Sequence, residues 1–168
     1  AELITSLQNS QSNGLMAGLL IFTFALLENK KYFLATLCAV ISVYLKIFGL
    51  IGFVLFIFYD DKWKLILYSL FWSVILLLLP LIVVSPHQLF FLYERWLILL
   101  KLDRSGAITL SVANWLHTWF SVDIKNSVLL FIGAILLLLP LTRIQQYKNF
   151  YFRLLMLSSL LIWSVIFN

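Results

Sequence analysis

The sequence predicts an all-α protein, a polytopic bundle of transmembrane helices, and two observations predict this fold class. Of 168 residues, 63% are hydrophobic and 11% are charged, with the hydrophobic residues gathered in long runs between short charged segments. A soluble domain has about 45–50% apolar and about 25% charged residues. The mean hydropathy of the chain is +1.04. A soluble fold of this size cannot bury so much apolar surface, so lipid is the expected surrounding.

Five apolar segments are predicted to be membrane helices. They lie near residues 14–27, 32–59, 65–84, 127–141 and 150–167. The third segment has no charged residue and spans ~30 Å as a helix, which matches the thickness of a bilayer core. The chain opens in a polar stretch and stops directly after an apolar run, so we expect both ends to be cut and the chain to be part of a longer protein.

The second segment decides the predicted topology, because Lys46 lies at its centre. A single span would bury this lysine at mid-membrane, at a cost of ~2.5–3.5 kcal/mol. A hairpin or broken helix would place Lys46 at the far surface instead, and Gly49 and Gly52 permit such a bend. The hairpin puts seven basic residues on one side and five on the other. A single span puts six on one side and five on the other, and leaves Lys46 inside the membrane. The positive-inside rule therefore favours the hairpin. The seven are Lys30, Lys31, Lys62, Lys64, Arg143, Lys148 and Arg153.

Residues 85–126 are expected to form an extracytoplasmic loop with two amphipathic helices. In the first, His87, Glu94 and Lys101 recur every seven residues and share one face. The second runs from about Ile108 to Trp119. Their Trp and Tyr content suits a membrane interface, and packing on another part of the full-length protein is an equal alternative.

The chain carries no recognisable metal, cofactor or nucleic-acid motif. The basic residues form no patch, so the net charge of +5 indicates membrane orientation rather than nucleic-acid binding. His87 and His117 have no partner at ligand spacing, and no Gly-rich phosphate loop occurs. The single cysteine, Cys38, cannot form an intrachain disulfide.

Two features could carry chemistry. The polar stretch Gln8–Asn13 leads into the first apolar segment, either as a helix cap with Ser12 or Asn13 at the N-cap or as a hydrogen-bonding wall for a sugar or head group. Lys46 is either an anchor that snorkels to the membrane surface or a binding group for a phosphate.

Five short motifs are spread along the chain, namely Gln11-Ser12-Asn13, Lys30-Lys31-Tyr32-Phe33-Leu34-Ala35, Leu45-Lys46, Asp61-Lys62-Trp63-Lys64 and Leu110-Ser111-Val112-Ala113-Asn114-Trp115-Leu116. Together they resemble glycosyltransferase family 87, a family of polytopic GT-C type membrane enzymes, and the resemblance extends over most of the chain. One departure from the family pattern is Ile47, where members often have Pro after the Lys.

The resemblance implies transfer of a sugar, typically mannose, from a polyprenyl-phosphate donor on the extracytoplasmic side. It nominates Gln11, Asn13 and Lys46 as donor-contacting residues. No residue of the chain is assigned as catalytic, because the family's presumed acid belongs to a first extracytoplasmic loop that has no equivalent here. The expected partners are membrane lipid, the polyprenyl-phosphate sugar and the rest of the full-length chain, with no nucleic acid.

The expected location is a bacterial inner or plasma membrane. The alternative function is a transporter or flippase fragment, or an assembly subunit without chemistry, because transporters also carry broken helices and midplane ions.

Overall fold

The computed structural model describes residues 12–102, 117–121 and 126–166, and these residues contain helices and no β-strand. The second predicted amphipathic helix, near 108–119, lies largely outside the described residues. The α-helices are α1 (Asn13–Glu28), α2 (Tyr32–Leu45), α3 (Lys62–Leu78), α4 (Pro86–Leu102), α5 (Asn126–Leu138) and α6 (Phe150–Ile166). Four 3₁₀ segments join them, namely Ile47–Phe58, Leu79–Ile82, Leu139–Thr142 and Ile144–Gln146.

The second apolar segment folds back on itself. Helix α2 ends at Leu45, Lys46 is extended (φ −156°, ψ 132°), and the chain returns as the 3₁₀ helix Ile47–Phe58. The rings of Tyr32 and Tyr59, at the two ends of the segment, have centroids 6.4 Å apart. One straight helix would separate these residues by ~40 Å. The segment is therefore a hairpin with Lys46 at its tip.

Helix α2 lies at the centre of the bundle, where it packs against α1, α3 and the returning 3₁₀ helix. Its buried face is made of small residues, which lets the neighbouring backbones approach closely. Ala35, Thr36, Ala39 and Ser42 are all fully buried. The hydroxyls of Thr36 and Ser42 donate to carbonyls three residues earlier, so these polar groups are satisfied without water.

Helix α3 and its 3₁₀ extension form the one element, among the described residues, that is long and apolar enough to span a bilayer alone. It covers Lys62–Ile82, with a mean hydropathy of 2.5 over its best window and only 6% of that window buried. The core helix of a soluble protein would be mostly buried, whereas this apolar surface faces outward. Lipid is the solvent that such a surface requires.

Both Leu-rich runs that end in Leu-Pro-Leu finish in the same way. Helices α3 and α5 tighten into 3₁₀ turns at Pro80 and Pro140. The carbonyl of Pro80 accepts a hydrogen bond from the N–H of Val83, and that of Pro140 accepts from Arg143. Proline cannot donate to the α-helical ladder, so the chain closes a tighter turn there.

Candidate functional site

Lys46 is fixed by the geometry of the hairpin tip. Its N–H donates to the carbonyl of Ser42 at 3.0 Å, and its own carbonyl accepts from the N–H of Gly49 at 2.8 Å. A Cβ at Gly49 would lie 2.4 Å from the carbonyl carbon of Ser42. Only glycine therefore lets the returning 3₁₀ helix pass so close to α2, and this close contact sets the position of Lys46.

The Lys46 side chain reaches α1. Its Nζ donates to Oδ1 of Asn13 at 3.0 Å across 33 residues of sequence, and both side chains are half-buried. Ser12 is the N-cap of α1 but makes no side-chain cap hydrogen bond. Ser12 therefore takes the N-cap position that the sequence predicted for Ser12 or Asn13, without capping through its side chain, and the Asn13 amide makes a tertiary contact. Gln11, the third residue nominated from the sequence, lies outside the described residues.

The Lys46–Asn13 pair lies at one end of the bundle. The hairpin rises ~21 Å along α2 and ~24 Å along the 3₁₀ helix. When the base of the hairpin lies at one edge of a ~30 Å hydrocarbon core, its tip lies near the opposite edge rather than in the middle. An ammonium at that depth can donate up to three hydrogen bonds and suits an anionic oxygen of a lipid phosphate.

An apolar cavity of about 530 Å³ opens at the same end of the bundle. Tyr44 and Leu50, which flank Lys46 in the chain, line it together with the end of α3 and one face of α4. The Tyr44 hydroxyl donates to the carbonyl of Ser73 at 2.9 Å, and that of Tyr93 donates to Leu77 at 2.7 Å. With both hydroxyls satisfied, the wall of the cavity presents mainly hydrocarbon and aromatic surface.

The described carboxylates lie away from the hairpin tip or are exposed. Asp60 and Asp61 follow the base of the hairpin, and Glu94 is exposed on α4. Within the described ranges, no group of three His, Cys, Asp or Glu side chains could hold a metal ion. The ammonium of Lys46, held by its hydrogen bond to Asn13, can bind an anion.

A second polar cluster, at the base of the hairpin, went unrecognised in the sequence. Arg153 donates from Nε and Nη2 to the two oxygens of Glu28 at 2.7 and 2.8 Å, and the Tyr59 hydroxyl donates to Glu28 at 2.6 Å. The Arg153 guanidinium also lies 5.7 Å from the centroid of the Tyr59 ring. The only signal in the sequence is that both charged residues stand at the ends of apolar runs.

The contacts within this cluster change the pKa of Glu28. Burial alone would raise the pKa of Glu28, but the hydrogen bonds from Arg153 and Tyr59 outweigh burial and hold the pKa below its ordinary value. The Tyr59 hydroxyl keeps its proton as the donor of the hydrogen bond to Glu28. The base of the hairpin therefore holds an ion pair between Glu28 and Arg153, which lie 125 residues apart in the sequence.

The sequence profile of glycosyltransferase family 87 matches residues 1–167. The chain belongs to glycosyltransferase family 87. This family consists of polytopic membrane proteins, and membership implies a membrane glycosyltransferase that takes a sugar donor. The resemblance expected from Gln11-Ser12-Asn13 and Leu45-Lys46 is thereby confirmed. No curated protein and no solved structure shows a significant match to the chain.

Proposed function

We propose that the Lys46 end of this family 87 chain holds the phosphate of a polyprenyl-phosphate sugar donor while the sugar, mannose, is transferred on the extracytoplasmic face. The observation that carries the proposal is the 3.0 Å hydrogen bond between Lys46 and Asn13. Two residues that the family resemblance selects independently, 33 positions apart, meet in one half-buried site.

The chemistry of the pair fits the leaving group of the transfer. When the glycosidic bond to phosphate breaks, negative charge develops on the departing phosphate oxygen. A cation held at that oxygen stabilises the charge, and the Asn13 carbonyl orients the cation before the donor arrives. In this proposal the base that activates the acceptor hydroxyl is supplied by another part of the full-length protein.

The apolar cavity beside the hairpin tip supports a lipid-linked donor rather than a soluble nucleotide sugar. Its volume of about 530 Å³ and its wall of Leu, Val and aromatic side chains suit several isoprene units. A polyprenyl chain entering there from the bilayer brings its phosphate to the depth of Lys46. The positive-inside count favours the extracytoplasmic face for this end of the bundle, and the proposed location is a bacterial inner or plasma membrane.

Replacing Lys46 in the full-length enzyme tests the proposal. With subsaturating polyprenyl-phosphate mannose, Lys46→Ala is expected to reduce kcat/KM roughly 10- to 100-fold, the loss that follows from removing a hydrogen bond to a charged group. Lys46→Arg is expected to recover part of the rate, since its charge remains while its geometry differs. Radiolabelled sugar transfer in membranes measures both variants.

Lys148→Ala provides the matched control, because Lys148 is an exposed lysine in the segment next to the base of the hairpin. Its rate should stay close to that of the wild-type enzyme. If Lys46→Ala transferred sugar at the wild-type rate, Lys46 would be only a surface anchor and the proposed site would be wrong.

A further inference from the structure

A second cavity, of about 550 Å³, lies between the α1–α2 turn and the start of α3, at the end of the bundle opposite Lys46. Lys30, Lys31 and Lys64 line it together with a single carboxylate, Asp61. Lys64 pairs with Asp61 at 2.9 Å. Among the described residues Lys30 and Lys31 form no ion pair, so the cavity carries net positive charge.

The unfavourable backbone conformation of Lys30 indicates that its side chain has a function. Helix α1 ends in a Schellman motif, in which the N–H of Lys30 donates to Leu27 and the N–H of Lys31 donates to Leu26. The motif requires the left-handed region at Lys30, where φ is 58°. Glycine is the usual residue there because a Cβ is disfavoured in that conformation. A lysine in this place keeps an ammonium beside the cavity at a conformational cost.

Part of the cavity wall is aromatic. Phe33 and Tyr68 line it and pack edge to face with ring centroids 5.4 Å apart. Trp63, next to the cavity in sequence, is 79% exposed, as expected for a tryptophan at a membrane interface. The cavity therefore combines lysine side chains with aromatic surface, beside the residue where the span Lys62–Ile82 begins.

We propose that this cavity binds the phosphate headgroup of an anionic phospholipid from the leaflet next to the α1–α2 turn. The lysine ammonium groups contact the phosphate, and the aromatic wall contacts the glycerol and the first acyl carbons. Helices α2 and α3 both begin beside the cavity, and their N-terminal partial charges add to the attraction. The proposal requires insertion in a membrane and is independent of the sugar transfer proposed above.

Thermal unfolding of the full-length protein in nanodiscs tests the proposal. At low ionic strength, adding phosphatidylglycerol to phosphatidylcholine nanodiscs is expected to raise the Tm of the wild-type protein by several degrees, because a ligand of the folded state stabilises it. The double variant Lys30→Gly/Lys31→Gln should lose most of this increase. In phosphatidylcholine alone its Tm should be at or above the wild-type value, since glycine relieves the left-handed conformation.

The charge-matched control is Lys62→Gln/Lys148→Gln, which removes two exposed lysines that do not line the cavity. It should keep most of the Tm increase. A third variant, Lys64→Gln, tests the same wall without touching the turn and should reduce the increase. Absence of a wild-type increase, an unchanged increase in Lys30→Gly/Lys31→Gln and Lys64→Gln, or an equal loss in the control would overturn the proposal. An equal increase with inorganic phosphate would assign the cavity to a soluble anion instead.

Discussion

At the scale of single residues, Lys46 and the polar stretch that contains its partner could both be predicted, and the particular acceptor atom could not. A lysine inside a 28-residue apolar run must escape the hydrocarbon or find a partner, and this energetic argument identifies it from the sequence. The choice of Asn13 as acceptor depends on how α1 packs beside the hairpin, which residue type does not encode. On residue chemistry alone, the same polar stretch is better explained as a helix cap. Gln11, outside the described residues, stays a prediction.

Substitution of Asn13 tests whether it orients Lys46. Asn13→Ala in the full-length enzyme is expected to raise KM for the donor several-fold, less than Lys46→Ala does, because the ammonium remains but loses a fixed orientation. If Asn13 acts through Lys46, the two losses are not additive, and the double variant should resemble Lys46→Ala alone. Initial rates over a donor concentration series measure the coupling. Full additivity would show that the residues act independently.

Gly49 and Gly18 form a natural pair for a stability test. Gly49→Ala forces a methyl group against the Ser42 backbone and is expected to cost roughly 1–3 kcal/mol or to prevent folding. Gly18 lies inside α1, and a Cβ there would meet nothing within 4 Å. Gly18→Ala should therefore be neutral or stabilise by up to about 1 kcal/mol, through helix propensity. Thermal unfolding in detergent compares the two variants, and equal Tm values would contradict the close passage at the hairpin tip.

At the scale of elements, the apolar composition of Ile47–Phe58 does not indicate which kind of helix these residues form. Ile47–Phe58 is a 3₁₀ helix of 12 residues, far longer than the usual three or four. Every position is apolar or glycine, so periodicity cannot distinguish it from an α-helix. At 2.0 Å per residue these residues cover ~24 Å, so the returning arm of the hairpin is about as long as α2, which covers ~21 Å.

The hairpin makes a direct prediction about accessibility. A cysteine at position 46 should react with a membrane-impermeant thiol reagent in intact cells, and a cysteine at position 62 should react only after the membrane is permeabilised. The reason is that the tip of the hairpin, at Lys46, and its base, next to Lys62, are expected at opposite surfaces of the membrane. The background variant Cys38→Ser removes the native thiol. Equal labelling at both positions in intact cells would exclude this membrane topology.

At the scale of the whole molecule, the ion pair between Glu28 and Arg153 joins the first described helix to the last. Their side chains are 21% and 14% exposed, and two parallel hydrogen bonds connect them. The predicted hairpin topology puts both residues at one end of the bundle, so their proximity follows from the sequence in outline. Their pairing does not, because several other charged residues occupy the same end. It depends on α6 packing against α1 and the 3₁₀ helix.

This pair should make the stability of the bundle depend on pH. The folded-state pKa of Glu28 is lowered, so its contribution is complete above the unfolded value and is lost as the pH falls through the folded pKa, below about 4.5. Glu28→Gln leaves Arg153 half-buried without a counter-charge and is expected to cost roughly 1.5–3 kcal/mol at pH 7. The Tm difference between wild type and variant should therefore shrink as the pH falls below about 4.5. The exposed Glu94 gives the control, Glu94→Gln, which should change Tm little at any pH. A Tm difference for Glu28→Gln that is constant from pH 7 down to acid would show that the ion pair contributes nothing to the attachment of α6.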